Sequence, residues 1–445
     1  MPRRDPFKGC DDFRRARHPF SFTRRQAVLG GLSIYAAGAL APASRLLEAA
    51  HAQAAATPGA PVLVSVFLPG GCDLLSTLTP LDQAGRLADV RKSLRTDAPP
   101  ALAGASSLGL HPSLSEGLNG GVRGLFEAGK VGFLPGIDYA NPDLSHFHSR
   151  HFWETGLITE RTAPGWLGRW LDRHAGPDNP LQGLSLGGLS PLLRTASSPV
   201  AAVDDPRDAQ VRFGGTWSAG EDMAWAAWSL LGAERPGDAP GPAAARRAAR
   251  VARQIGDRLA PYAHSDKDPT PDPLASPVAY PENSDFATRL SRLGGMLAQP
   301  LGIRVAAVDA PSDFDTHDDQ PKELAAALSE VSQGLAAFQA DLEARGIADR
   351  VLTFVWSEFG RRPESNESSG TDHGAGGIAW VQGTRARSGV LTDYPDLKRL
   401  DRNDNLAVTV DFRRVYCSLL EGWMGTDAAE VIPNAGSFGR LAVVK

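Results

Sequence analysis

The sequence predicts an α/β protein built on a mostly parallel sheet flanked by helices. Two short apolar runs carry that reading, Val351–Trp356 (VLTFVW) and Pro61–Leu68 (PVLVSVFL). Both are rich in β-branched or aromatic residues, lack polar alternation and end at glycine, as strands buried on both faces do. A third observation joins them into a topology. A long amphipathic pattern, Gln320–Arg345, lies between the run Ile303–Val308 and Val351–Trp356, which completes a β-α-β unit. The composition, 42% hydrophobic and 22% charged over 445 residues, is that of an ordinary globular protein.

The amino terminus reads as an export signal occupying residues 1–52. A basic stretch ends in Arg24-Arg25-Gln26, an uncharged Gly/Ala-rich run follows from Ala27 to Ala43, and Ala50-His51-Ala52 fits a small-residue cleavage site. Paired arginines before a mildly apolar run point to the twin-arginine route, hence a periplasmic or secreted protein. The run is too short and too weakly apolar for a stable membrane span. The segment holds nine Lys or Arg against four Asp or Glu, so removing it takes the net charge from −5 to about −10. That argues against nucleic acid as a partner. Cys72 and Cys417 remain, and we expect them not to be bonded, since Cys72 sits in a loop with other work.

From residue 53 on, the strand Pro61–Leu68 ends in Pro69-Gly70-Gly71-Cys72-Asp73, where two glycines allow a sharp turn and Asp73 projects from the carboxyl end. Asp73 is a site acid or the cap of the next helix. Residues 83–110 read as a polar helix and loop, Gly121–Ala128 as a helix, and Val131–Pro135 as a strand. Asn141-Pro142-Asp143 then signals a helix start. On that helix Ser145 stands near the first turn, where unpaired amides favour anions. Its hydroxyl either attacks a phosphorus or sulfur centre or simply ends the helix. His146, His148 and His151 point to metal or acid–base use, or to an exposed histidine-bearing face. Gly165–His174, Glu221–Leu231 and Pro242–Leu259 read as helices. The Pro- and Asp-rich residues 264–283 form a lid or insert, and Asp411–Gly422 is a last helix.

Past the strand Ile303–Val308 come Asp315 and His317. Past Val351–Trp356 come Glu358 and Arg361, then Asp372 and His373 just before a strand-like run, Ile378–Val381. Ligands gather at the carboxyl ends of parallel strands. Carboxylates with neutral imidazoles suit Zn²⁺ or Mn²⁺, with Ca²⁺ or Mg²⁺ as alternatives. So many acids at one edge repel one another unless a cation joins them. Asp73, Asp315, His317, Glu358, Asp372 and His373 are therefore the candidate metal ligands. Arg361 is a candidate holder of an anionic oxygen, or a surface ion pair.

Gly70-Gly71-Cys72-Asp73, Ser145-His146-Phe147 with Trp153-Glu154-Thr155-Gly156, Phe314-Asp315-Thr316-His317 with Gln320, Ser357-Glu358-Phe359-Gly360-Arg361 with Asn366, and Gly370-Thr371-Asp372-His373-Gly374 together resemble the DUF1501 family of exported bacterial proteins, related to the alkaline phosphatase and sulfatase superfamily. The resemblance implies a single alkaline phosphatase-like α/β domain over residues 53–445. It also implies metal-dependent hydrolysis of phosphate or sulfate esters. It aligns Asp73 with the first metal-binding Asp, Ser145 with the nucleophile, Asp315 and His317 with the middle pair, and His373 with the late His. Phe359 stands where a second His is usual, and Cys72 lacks the Cys-x-Pro-x-Arg setting of formylglycine sulfatases. The expected substrate is a small anionic ester or a sulfated or phosphorylated glycan. The alternative is a non-catalytic envelope protein that binds a glycan or protein partner in the same cleft.

Overall fold

The computed structural model describes residues 59–94, 99–209, 218–233, 235–265, 267–310 and 313–445, apart from the side chains of 218–222 and 225. The export segment, residues 1–52, lies outside the described residues. The strands in chain order are β1 (Val62–Phe67), β2 (Leu78–Pro80), β3 (Ala101–Leu102), β4 (Ala105–Leu110), β5 (Val131–Asp138), β6 (Gly183–Leu186) and β7 (Ala201–Ala202). They continue with β8 (Val305–Asp309), β9 (Val351–Trp356), β10 (Gly360–Ser365), β11 (Thr371–Gly374), β12 (Gly377–Gln382), β13 (Gly389–Val390) and β14 (Val410–Asp411). The helices are α1 (Leu74–Thr77), α2 (Ala84–Val90), α3 (Gly121–Glu127), α4 (His146–Thr155) and α5 (Trp166–His174). After them come α6 (Ser218–Leu231), α7 (Pro240–Leu259), α8 (Asp285–Leu297), α9 (Gln320–Ala344) and α10 (Phe412–Gly422).

Nine strands make one sheet in the order β13-β5-β12-β9-β1-β8-β6-β7, with β14 also on β5. β1 runs parallel to both β8 and β9, and β6 parallel to β8 and β7. The exception is β12, the predicted run Ile378–Val381, which is antiparallel to β5 and β9. The mostly parallel, helix-flanked sheet is therefore as the sequence predicts. On β1, Val62, Val64 and Val66 join Leu290, Val331 and Leu335 in the core of one face. Leu63 and Phe67 join Trp153, Trp166 and Tyr416 in the core of the other. A strand covered on both faces has no use for polar alternation, which explains its continuous apolar sequence. Ser65 is tolerated because its hydroxyl accepts the indole N–H of Trp356 at 2.8 Å.

Two segments differ from expectation. Residues 83–110, predicted as a polar helix and loop, hold the short helix α2 and the strands β3 and β4, which pair with β2 just before them as an antiparallel sheet, β2-β4-β3. Residues 264–283, predicted as a lid or insert, brace the far end of α9. The Tyr280 hydroxyl donates to Asp341 at 3.1 Å, and Arg345 donates to the carbonyls of Leu274 and Ala275. The site lies at the Gln320 end of that helix, about 30 Å away at 1.5 Å per residue. The segment does not cover the site.

Candidate metal centre

The carboxyl ends of β1, β8 and β9 lie side by side, so the loops that follow them share one edge of the sheet. The loop after β1 is the floor. Gly70 and Gly71 have φ of +111° and +85°, which side chains rarely adopt. A Cβ on Gly70 would lie 2.3 Å from the Asp315 amide nitrogen, and one on Gly71 2.4 Å from the Phe359 ring. Their amides wrap the acid after β9. Gly70 N–H donates to Glu358 Oε1 at 2.9 Å, and Gly71 and Cys72 N–H donate to Ser357 Oγ at 3.1 and 3.0 Å.

Asp315 is the centre of the cluster. His373 Nε2 and His317 Nε2 each lie 3.0 Å from its Oδ1, and His146 Nε2 faces its Oδ2 at 3.5 Å. The β10–β11 hairpin sets Arg361 opposite His373, and the Arg361 guanidinium also reaches Asp315 Oδ1. Each histidine is oriented by its other ring nitrogen. His146 Nδ1 is 2.9 Å from Glu358 Oε1, His373 Nδ1 is 2.8 Å from the Leu144 carbonyl, and His317 Nδ1 is 3.1 Å from Asp372 Oδ1. Carbonyls and carboxylates only accept, so each Nδ1 donates a proton to its partner. Each Nε2 faces the Asp315 carboxylate, which also only accepts, and those of His317 and His373 lie 3.1 Å apart. Nitrogens and carboxylate oxygens that converge this closely need protons or a bound cation among them. Pinning Nδ1 to an acceptor is how proteins orient metal-binding histidines.

The electrostatics agree. Burial alone would depress the His146 pKa, but Asp315 and Glu358 on its two nitrogens outweigh that and raise it to about 10. Burial opposes ionisation of Asp315, yet His146, His317, His373 and Arg361 hold its carboxyl far below the usual range. Burial lowers the His373 pKa against the pull of Asp315, so of these two imidazoles His146 is the one the acids hold protonated. One donor atom from each of His146, Asp315 and His373 lies within 4.8 Å of the others, and Asp315 Oδ2 is buried and accepts no hydrogen bond among the described residues. Imidazoles with one carboxylate are a fitting donor set for Zn²⁺ or Mn²⁺. Cys72 does not contribute, because burial pushes its thiol up to about 12. It and Cys417 are both free thiols.

Of the residues singled out in the sequence, Asp315, His317 and His373 come together with their imidazoles and carboxylate in contact. Asp372 is exposed and acts as the acceptor that orients His317. Glu358 is buried, with its oxygens taken by Gly70, Gly71, Ser357 and His146, so it orients the His146 ring. Asp73 is a correction. It caps α1 through the Leu75 amide, and both oxygens meet the Arg91 guanidinium at 2.7 and 2.9 Å, with Gln320 also on Oδ2. A bidentate ion pair of this kind leaves no lone pair directed at an ion. Arg361 is a second correction. It is fully buried and donates to the carbonyls of Gly70, Gly71, Phe314 and Thr371 as well as to Asp315, so it neither holds an exposed anion nor forms a surface pair.

Ser145 is the N-cap of α4, which starts at His146 rather than at Asn141-Pro142-Asp143, and its hydroxyl caps nothing. Its neighbours on either side, Leu144 and His146, contact His373 and Asp315. The member of the cluster that sequence reasoning did not place is His146. Its cluster with His148 and His151 was visible, but helical spacing does not say which ring turns inward. His146 is buried, while His148 and His151 are partly exposed.

Residues 244–432 match the family described as protein of unknown function (DUF1501). That span includes Asp315, His317, Glu358 and His373, and leaves Asp73 and Ser145 outside. No curated protein matches the chain. Among solved structures, phosphonate monoester hydrolase SpPMH from Silicibacter pomeroyi is similar at 13% identity and a TM-score of 0.31, covering 85% of this chain and 75% of that one.

Proposed function

We propose that the chain is an exported, metal-dependent hydrolase of phosphate or sulfate esters with Ser145 as nucleophile. The observation that carries this is the convergence of three Nδ1-pinned imidazoles on Asp315, one residue from the N-cap of α4. Asp315, His146 and His373 would hold a divalent ion, which would supply Lewis-acid polarisation of an ester oxygen.

The chain's own residues do the rest. The amide of Ser145 donates to Asp143 Oδ1 at 2.9 Å, which fixes the backbone that presents its hydroxyl. Glu358 and the Leu144 carbonyl keep His146 and His373 in the tautomers that direct Nε2 inward. Phe359 packs its ring 4.9 Å from His146 and 4.6 Å from His373, which excludes water from behind the imidazoles. Export along the twin-arginine route places this chemistry in the periplasm or outside the cell, where phosphate or sulfate esters, glycan esters among them, are the substrates.

Ser145→Ala tests the reading. Expected is loss of turnover on aryl phosphates and sulfates, with ion content and melting temperature unchanged. A variant that turns over esters like the parent overturns the nucleophile. A parent chain that carries the ion, hydrolyses no ester and retains a glycan or protein overturns the hydrolase reading in favour of a binding protein.

A further inference from the structure

The apolar stripe of α6 faces away from the fold. Met223, Leu230 and Leu231 are 74%, 72% and 59% exposed, more than any other large apolar side chain among the described residues. Ala226 and Ala227, also exposed, complete the series i, i+3, i+4, i+7 and i+8, which is one continuous line along a helix. A line of that period ordinarily turns toward a core. In α6 a different side does so. The Trp228 indole donates to the Ala249 carbonyl at 3.0 Å, and a Cβ on Gly232 would lie 3.1 Å from the Arg250 amide nitrogen, so these residues rest on α7. α7 in turn buries Ala249, Ala252, Gly256 and Leu259. The hairpin is thus anchored without its most apolar surface. Monomers rarely leave such a surface uncovered.

The exposed line is complementary to itself. Its middle is small, at Ala226 and Ala227, and its ends are large, with Met223 at one and Leu230 and Leu231 at the other. A second α6 laid antiparallel across it, with a two-fold axis at Ala227, sets each Met223 against the partner's Leu230 and the partner's Leu231. The alanines let the two helix axes approach to about 8 Å. Charge runs in the same order. Glu221 and Asp222 precede the line. Past its other end come Arg235 and, on the turn of α7 against Leu231 and Gly232, Arg246, Arg247 and Arg250, four arginines against Glu234 and Asp238. The antiparallel pairing brings the acidic end of one copy to the basic end of the other, twice in each dimer. Those two acids, and the chain's net charge of −5, oppose docking on an anionic lipid surface instead. A line about 12 Å long offers less than the surface of about 800 Å² per partner that a stable interface buries, so the pair exchanges with monomer.

We propose that α6 is a self-docking surface, through which two copies of the chain pair reversibly and antiparallel along Met223, Ala226, Ala227, Leu230 and Leu231. The inference is independent of the hydrolase reading.

Sedimentation velocity on the exported protein tests it, over a range of about 1 to 100 µM. The weight-average mass is expected to rise from that of one chain toward that of two. Leu230→Glu is expected to keep the parent's circular dichroism, because the side chain is exposed, and to raise the dissociation constant about tenfold or more, because pairing would bury its charge. Should it fail to fold, Met223→Glu, at the other end of the line, replaces it. Ala227→Cys is expected to cross-link to its partner under mild oxidation while the parent, whose Cys72 and Cys417 are buried, stays a single chain on a denaturing gel. A parent that remains monomeric throughout overturns the proposal, as does a folded Leu230→Glu or Met223→Glu variant that dimerises like the parent. A dimer in which Ala227→Cys does not link overturns the antiparallel pairing. A monomer that co-floats with phosphatidylglycerol vesicles and is released by Leu230→Glu overturns the second copy as occupant and assigns the surface to lipid.

Discussion

Replacing Arg361 by Met separates a residue that holds the fold from one that holds a substrate. The side chain is fully buried, and its guanidinium donates to Gly71 O at 2.9 Å, Thr371 O at 2.8 Å and Phe314 O at 3.2 Å, besides Gly70 O and Asp315. Methionine fills much of the same volume and restores none of these. A buried acceptor left unmade costs about 1–3 kcal/mol, and breaking a buried ion pair about 3–5 kcal/mol. Relaxation of the loops after β1 and β8 recovers part of that, so a loss of about 4–6 kcal/mol is expected. Against a total stability of about 5–15 kcal/mol the variant is marginal. In urea, followed by tryptophan fluorescence, the midpoint should fall by about 1–2 M. Arg361→Lys keeps the charge but not the fork, and should lie between the two. A Met variant with the parent midpoint that merely binds anionic esters more weakly would refute this reasoning and restore the anion-holding role.

Three further outcomes follow from the same geometry. Gly71→Ala should cost about 2–4 kcal/mol, because the new Cβ meets the Phe359 ring in a left-handed backbone. Phe359 then presses on His146 and His373, so ion affinity should drop alongside the melting temperature; an unchanged melting temperature sinks the idea. Asp73→Asn should weaken the fold through the lost Arg91 pair yet keep the parent's ion content, and a variant depleted of ion would return Asp73 to the ligand set. Asp138 is fully buried, and burial keeps its carboxyl protonated well above the usual carboxylate range despite amide bonds from Tyr139 and Gly376. The folded chain therefore binds a proton that the unfolded chain releases above pH ~4, and stability from this group falls as pH rises past that point. Asp138→Asn removes that slope; stability curves for parent and variant that run parallel from pH 4 to 9 would contradict it.

Much of the scaffold was legible because burial on both faces leaves a plain mark. Pro61–Leu68, Ile303–Val308 and Val351–Trp356 read as buried strands and form β1, β8 and β9, and acids just past their ends read as site residues. The roles of individual acids were less legible. Asp73 and Asp315 look alike in sequence, each past a strand end, yet one meets Arg91 and the other three imidazoles. Arg91 lies on the far side of α2, and nothing in the local pattern names its partner. Arg361 misled for a related reason. A charged residue in a polar stretch reads as solvated, and only the β10–β11 pairing turns it under the site. His146 was hidden among three histidines until the helix phase was known.

The cluster draws on Gly70, His146, Asp315, Glu358 and His373, and β1 finds its neighbours in strands about 240 and 290 positions downstream. Every one of those pairings must be closed against chain entropy before Asp315 meets its imidazoles. Ion capture should thus be among the slowest events of refolding, arriving after the helices have formed and the central ladder has zipped. A chromogenic chelator competing for the ion would then time the completion of the native topology, where circular dichroism times only its beginnings.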